Sequence, residues 1–470
     1  MTQKLSRFFE GLFFLFAVSF FLTAGSDFED HFKIRIIFGS ILIVFFLLFA
    51  WKRLFAVAFQ HPVFWVFLCF VSFILLRAVW AFCLLHQANV DAGEIPFLQL
   101  YLASPGIWLF YLAFFGISLS FFNSKSMVRR FFIIMAAAGT VLALNVIPPL
   151  LRYGEGKFGY QAEGGQITFF LPLLYSLEWI PRYLIASYAH VNWVGDMISF
   201  GFFPALALAF YTFEIIKDKR RRRNQDSWER KRSGLLSSLA LQGLGVLVMA
   251  SAITLLLARG TIISWVISLT LCFIGMVMKL PSRTRFKFLG WVFVGLLGFL
   301  FWAGNLQRAW RETQTVQTEF DAGKSTSLAT NRDAAKRAVA IYRDYALWGV
   351  GTDGFSRVAE KYGTADGANV FSLARFQAMC HYLQTLAEEG VGAYIYFLFL
   401  GVYFFEMLRG LARTKSRFKF IAGLTLLGSV VMILIHASVH HLMQRFPVAM
   451  LTYIVMGAGL AVTRRDFETE

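Results

Sequence analysis

Charge is scarce in this chain, and acidic charge is the scarcest. Only 28 of 470 residues are Asp or Glu, against 45 Lys and Arg, and charged residues make up 16% of the whole. A soluble chain of that length needs far more charge to cover its surface, so a soluble globular protein is excluded. Cysteine is also sparse. The four present (Cys69, Cys83, Cys272 and Cys380) show neither a paired framework nor metal-ligand spacing, and three fall in or beside apolar runs, where the thiol acts as a small hydrophobe. No internal repeat is visible, which weakens an inverted-repeat transporter. No small-residue cleavage site follows the first apolar run, so that run is expected to be a span and not a removed signal.

What the chain has is apolar sequence in long runs. Hydrophobic residues make up 57%, with 54 Phe. Residues 36–51 form one such run, and residues 233–258 another, with no charge in it. A spanning helix needs roughly 20 apolar residues, and only helices or closed barrels satisfy the backbone in lipid. Barrel strands would alternate at a period of two, and these runs do not. The expected fold is all-α: a polytopic integral membrane protein with about 12 spans, near 8–25, 36–51, 62–82, 106–123, 131–150, 194–216, 234–258, 261–279, 288–304, 390–408, 420–437 and 447–463.

The net charge of +17 raises nucleic acid as a partner, but its placement argues for topology instead. Lys4 and Arg7 precede the first run, and Lys52 and Arg53 follow the second. Lys125, Arg129 and Arg130 follow the fourth; residues 217–232 (KDKRRRRNQDSWERKR) follow the sixth. Arg283, Arg285 and Lys287 follow the eighth. Arg409, Arg413, Lys415, Arg417 and Lys419 follow the tenth, and Arg464 and Arg465 the twelfth. These are alternate connectors, so all lie on one side, which the positive-inside rule makes the cytoplasm. Both termini are then expected there. No nucleic-acid partner is expected.

Two segments on the opposite side are too long to be turns. Residues 151–193 are rich in Gly and aromatics, and residues 305–389 are polar and able to form a small extramembrane unit. The expected organisation is nine spans over 1–304, an external segment over 305–389 between the ninth and tenth spans, and the last three spans over 390–470. The second segment is basic, with Arg308, Arg311, Lys324, Arg332, Lys336, Arg337, Arg343, Arg357, Lys361 and Arg375. Such a surface can bind lipid headgroups or gather an anionic substrate. The second reading is preferred, because several of these residues adjoin Gly-rich turns.

Three stretches together resemble the O-antigen ligase and polymerase family of bacterial envelope enzymes. Ala258, Arg259 and Gly260, at the external end of one run and directly before another, are similar to that family's Ser-Arg-Gly. Asn331 and Arg332, followed by YRDYALWGVGTDGF at 342–355, look like its Arg, amphipathic helix and Gly-x-Gly-x-x-x-Phe. HYLQTLAEEG at 381–390 resembles its His-Asn-x-Tyr-Leu-Gln-x-x-Ala-Glu-x-Gly. A weaker fourth element is His190, Val191, Asn192 and Trp193, similar to a His-Pro-Asn entering a span. The likeness covers about residues 180–410. It departs at one point: the family's His-Asn falls on Met379 and Cys380, and the nearby imidazole is His381. On a helix two positions amount to a rotation of about 200°. Either the start of this segment is unwound and His381 substitutes, or this branch works without that His.

The resemblance implies transfer of a glycan from an undecaprenyl diphosphate carrier to an acceptor hydroxyl outside the cytoplasmic membrane of a bacterium, with the site facing the periplasm. The acceptor is lipid A–core for a ligase, or a second lipid-linked glycan for a polymerase. Protein O-glycosylation uses the same donor, and a transporter or flippase is the alternative of another class. A departing diphosphate needs a cation that stays protonated and forks onto its oxygens, which guanidinium does. Arg259 is the expected clamp, with an interfacial snorkelling Arg as the bland alternative, and Arg332 the second. His381 is the candidate general base, or else a His bonded at a helix start. His190, Asn192, Arg343 and Tyr382 are expected among the substrate-binding groups. Arg77 stands within an apolar run, where charge is functional by default, unless the span is shorter. Asp196 is read as an Arg partner or acceptor ligand. His436, His440 and His441 read as interfacial. Asp27, Glu29 and Asp30 make a poor ligand set for a metal, and arginines on the diphosphate remove the need for one, so neither metal nor cofactor is expected. Membrane lipid is an expected partner throughout.

Reporter fusions after Arg223, Arg285 and Lys415 should read cytoplasmic, and fusions within residues 320–370 should read external. An external signal at Arg223 would invert every motif named above.

Overall fold

The computed structural model describes residues 3–22, 29–88, 98–152, 166–170, 186–221, 225–256, 259–279, 327–362, 377–440, 446–464 and 467. They are overwhelmingly helical. Five helices lead: α1 (Gln3–Leu22), α2 (Glu29–Val57), α3 (Pro62–Ala88), α4 (Leu98–Phe121) and α5 (Lys125–Arg152). A short antiparallel ribbon follows, β1 (Gln166–Phe170) with β2 (Ala186–His190), in a register that sets Gln166 opposite His190. Among the described residues this ribbon is the one departure from an all-α chain, and it falls in the first long connector. Then come α6 (Val191–Arg221), α7 (Gln225–Leu255) and α8 (Arg259–Met278).

The polar segment supplies α9 (Ser327–Asp344), the short turn α10 (Phe355–Val358) and α11 (His381–Glu389). The chain then runs through α12 (Gly392–Arg413), α13 (Arg417–Ala437) and α14 (Phe446–Thr463). Among the described residues, ten helices are long and apolar enough to cross a membrane: α2 to α8 and α12 to α14. The multi-pass membrane character expected from composition therefore holds. Of the other two expected spans, the first coincides with α1, whose charge-free run starts only after Glu10, and the ninth, 288–304, lies outside the described residues.

Aromatic side chains build the bundle. Phe9, Phe13, Phe16 and Phe20 recur every three to four residues and line one face of α1 with almost no exposure. Phe16 stacks on Phe114 of α4 at 4.7 Å, and Phe13 lies 5.1 Å from Phe121. Such pairs add to burial because ring edges and faces carry opposite partial charge. Between helices in lipid, where apolar attraction is weak, close van der Waals contact of this kind is the main source of association. α14 is buried nearly all round and forms the centre, against α4 and α13. The outer helices do the opposite: Ile34, Ile37, Ile41 and Leu48 of α2, and Leu241, Leu244 and Leu247 of α7, are exposed. A continuous apolar exterior of this kind suits lipid and not water.

The two ends of the bundle differ. At one end the basic connectors gather. Arg130 pairs with Glu10 at 2.9 Å and Arg417 with Glu214 at 2.9 Å. Lys419 donates to the Arg464 carbonyl at 2.9 Å, and the Lys125 ammonium lies over the Tyr211 ring.

At the other end, α9, α10 and α11 dock through one layer. α3 presents Phe73, Arg77 and Trp80 on a single face, as the i, i+4, i+7 spacing requires. The Trp348 ring stacks on Phe73 at 5.3 Å and on Trp80 at 5.4 Å. Between them, Arg77 Nη1 donates to the carbonyls of Trp348 (2.8 Å) and Glu388 (3.0 Å) and lies 2.8 Å from Glu389 Oε2. Gly349 can follow Trp348 because its φ of +68° brings its backbone against the Glu388 carbonyl, where any Cβ would collide at 2.1 Å.

Arg77→Leu should destabilise the protein by roughly 3–5 kcal/mol, the usual cost of leaving one partner of a buried ion pair uncompensated. Thermal unfolding in detergent measures this. The double variant Arg77→Leu, Glu389→Leu should recover part of the loss, whereas additive losses would mean that the pair is not coupled.

Candidate functional site at the end opposite the basic connectors

Residues 349–355 and α11 form one hydrogen-bonded unit. Val350 and Gly351 donate their N–H groups to the carbonyls of Ala387 and Glu388 at 3.0 and 2.9 Å. The side chain of Thr352 donates to Glu389 Oε1 at 2.6 Å and accepts from Trp108 Nε1 of α4 at 3.2 Å. Tyr101 donates to the Gly349 carbonyl at 2.6 Å. Glu388 turns the other way, its Oε1 accepting from Gln384 at 3.0 Å and from the Phe355 N–H at 3.4 Å. Burial, with the charge of Asp353 adding to it, pushes this carboxyl well above the usual carboxylate range. The Gly-x-Gly turn and the Ala-Glu-Glu-Gly helix end are thus one structural element, far apart only in sequence.

α9 covers this unit. Ala334, Ala338 and Ile341 face inward and are buried, and Val350, Phe355 and Ala387 complete a small separate core beneath them. Arg332 and Arg343 lie eleven positions apart, about three turns, on the opposite, exposed side of α9. They share one stripe of cationic surface and do not enter the core of the unit.

α11 begins where the family pattern departs. Met379 adopts φ +55° and Cys380 is extended, so the helix starts only at His381. The chain before it is therefore unwound, as one of the two sequence alternatives requires. The His381 ring, however, points into the bundle. It is buried, with Nε2 3.4 Å from the Tyr396 hydroxyl and the Thr385 hydroxyl against both ring nitrogens at 3.4–3.5 Å. Burial without a neighbouring anion lowers its pKa to about 3. A base works best with a pKa near the operating pH, and in this geometry the imidazole packs against Tyr396 and Thr385. Tyr382 is fixed by donating to the Leu434 carbonyl of α13 at 2.7 Å, and burial raises its phenol.

The most compact polar constellation lies one turn further along α13. His436 Nδ1 meets Asp196 Oδ1 of α6 at 2.8 Å, and both side chains are buried. His436 Nε2 and Asp196 Oδ2 have no hydrogen-bond partner among the described residues. Gly260, directly after Arg259 in the first turn of α8, packs against this ring: a methyl there would sit 2.6 Å from Nε2. On the next turn, His440 lies 5.7 Å from His436 ring to ring.

The sequence-derived candidates therefore divide. Asp196, Tyr382 and the Arg259–Gly260 step meet around the end of α13. Arg77 reaches Glu389 and two carbonyls through Nη1, with its guanidinium also 4.9 Å over the Tyr101 ring, while Nε and Nη2 have no hydrogen-bond partner among the described residues. His190 closes β2 and Asn192 lies in the first turn of α6, adjoining Asp196 along the chain. Asp27, of the acidic cluster in the first turn, and His441 lie outside the described residues. His436 was passed over as interfacial and Glu389 was not singled out. One signal pointed to each: a buried Asp and a buried Arg in apolar helices both demand a partner of opposite charge or hydrogen-bonding capacity.

No protein-family model matches this chain, and no characterised protein matches it in sequence. The likeness to O-antigen ligases and polymerases accordingly stands on the quoted motifs.

The pH dependence of stability tests the assignment of His381. Its folded pKa lies below the ordinary 6.5, so unfolding takes up a proton as the pH falls. Its contribution is complete above about pH 6.5 and is lost progressively towards about 3. His381→Gln should flatten this part of the acid sensitivity of the unfolding midpoint between about pH 7 and 4. An unchanged slope would show that the imidazole titrates normally.

Proposed function

We propose that this protein is a membrane glycosyltransferase that moves a glycan from an undecaprenyl-diphosphate carrier to the hydroxyl of lipid A–core, working at the periplasmic face of a bacterial inner membrane. One observation carries the reading. Three stretches that resemble the same family converge at one end of the bundle: residues 259–260 of the first, 349–355 and 381–390. Gly260 packs on His436 of α13, Tyr382 bonds to Leu434 of α13, and the Gly-x-Gly turn bonds to the end of α11. The basic connectors lie at the opposite end, which under the positive-inside rule is the cytoplasmic one.

The chemistry asked of the site is modest. The donor's tail keeps its diphosphate at the membrane surface, and the bond to be broken is weakened by stabilising the charge on the departing diphosphate. Positioned cations and N–H donors in a site shielded from water do this most effectively. Arg259 begins α8, where the first-turn N–H groups lack intrahelical acceptors and the positive end of the helix dipole favours an anion. The exposed Arg332 and Arg343 stripe on α9 serves to collect the anionic donor. A polymerase, with a second lipid-linked glycan as acceptor, is the alternative favoured by Met379 and Cys380 standing where the family has His-Asn.

The test is reconstitution of the purified protein with an undecaprenyl-diphosphate-linked glycan and lipid A–core. Glycosylated lipid A–core supports the ligase; only lengthened lipid-linked glycan supports the polymerase; no consumption of the donor contradicts both. Arg259→Ala should slow donor consumption about 10- to 150-fold, the worth of one hydrogen bond to a charged group. Arg259→Lys should recover only part of that, because an ammonium cannot fork.

A further inference from the structure

The buried His436–Asp196 pair is not used by the transfer reading as it stands, and its geometry gives it a ligand. The two side chains meet from different helices at 2.8 Å. The other ring nitrogen, Nε2, is fully buried, has no partner among the described residues, and faces the first turn of α8. No side chain separates the two, because the facing residue is Gly260: a Cβ there would lie 2.6 Å from Nε2 and 2.7 Å from Cδ2. The first turn of a helix of this length, 20 residues, offers N–H groups with no intrahelical acceptor and the positive end of the helix dipole, a setting that attracts anions. An anion seated on that turn is therefore beside Nε2.

We propose that His436 is the second half of a diphosphate site at the start of α8. Asp196 orients the ring through Nδ1, and Nε2 donates to a phosphate oxygen. This rests on the lipid-diphosphate reading above and adds to it a residue and a bond direction. A phosphate oxygen accepts, so Nε2 carries the proton in that contact. The alternative role, a base for the acceptor hydroxyl, fits the placement less well. A base must act at the attacking oxygen, on the far side of the anomeric carbon from the leaving group. His436 instead adjoins the same helix turn as the proposed Arg259 clamp.

The experiment is equilibrium binding of undecaprenyl diphosphate to the purified full-length protein in nanodiscs. His436→Gln should bind about 10- to 150-fold more weakly. Asp196→Asn should lose part of the same affinity, because the ring is no longer oriented. Gly260→Ala should mimic His436→Gln by pushing the ring aside. Inorganic pyrophosphate should compete on the wild type and phosphatidylglycerol should not, a comparison that needs no variant to fold; equal competition by phosphatidylglycerol would overturn the diphosphate assignment in favour of a headgroup phosphate. Unaltered affinity in His436→Gln would overturn the inference. Failure of undecaprenyl diphosphate to bind the wild type would instead remove the lipid-diphosphate reading itself.

Discussion

A guanidinium with no exposed surface, set among apolar helices, holds the site end of this molecule together. Arg77 gives up its water shell, a cost of several kcal/mol for an ion of this size, and recovers it from four directions. Glu389 supplies the counter-charge, the carbonyls of Trp348 and Glu388 accept from the same nitrogen, and the Tyr101 ring lies beneath the cation. All three polar contacts are made by Nη1, while Nε and Nη2 have no hydrogen-bond partner among the described residues. Because those acceptors belong to two separate stretches, the turn around Gly349 and the end of α11, one side chain fixes where both sit on the bundle. The aromatic clasp of Phe73 and Trp80 around Trp348 then sets the angle.

From that anchor the rest of the site follows in order. α11 is held at its carboxyl end by Arg77, so its first turn reaches α13, where Tyr382 bonds to Leu434. Two residues on, His436 crosses to Asp196 of α6 and meets the glycine that opens α8. Polar contacts thus tie α3 to the Gly349 turn and the end of α11, α11 to α13, and α13 to α6, while α8 packs on the same ring through Gly260. Polar groups between spans are expensive unless paired, which these contacts achieve in part.

Much of the architecture was legible in the residues. Ten of the twelve expected spans fall on helices long and apolar enough to cross a membrane, because lipid leaves the backbone no other option, and the basic residues Lys125, Arg130, Arg417 and Lys419 gather at one end. The glycines of the quoted motifs matter for a different reason: Gly349 and Gly260 stand where the backbone passes closer than a side chain allows. Partners were harder to see. Nothing along the chain links Arg77 to Glu389, or Asp196 to His436, since the separations exceed two hundred residues and only helix packing brings them together. The direction of a side chain was harder still. His381 has the right type in nearly the right place, yet the left-handed turn at Met379 starts α11 one residue after Cys380 and aims the imidazole at Tyr396. The ribbon β1–β2 was not foreseen, because short polar-aromatic stretches between spans carry no decisive periodicity.

The proposed anionic lipid carrier would meet the protein where α8 begins and α13 ends. A photoreactive undecaprenyl-diphosphate-linked glycan, cross-linked in native membranes and mapped by mass spectrometry, tests this most directly. Labels are expected on the peptides that carry Arg259 and Gly260, the His436 end of α13, and the start of α11. Labelling confined to the basic end, around Lys125, Arg130 and Arg417, would contradict it.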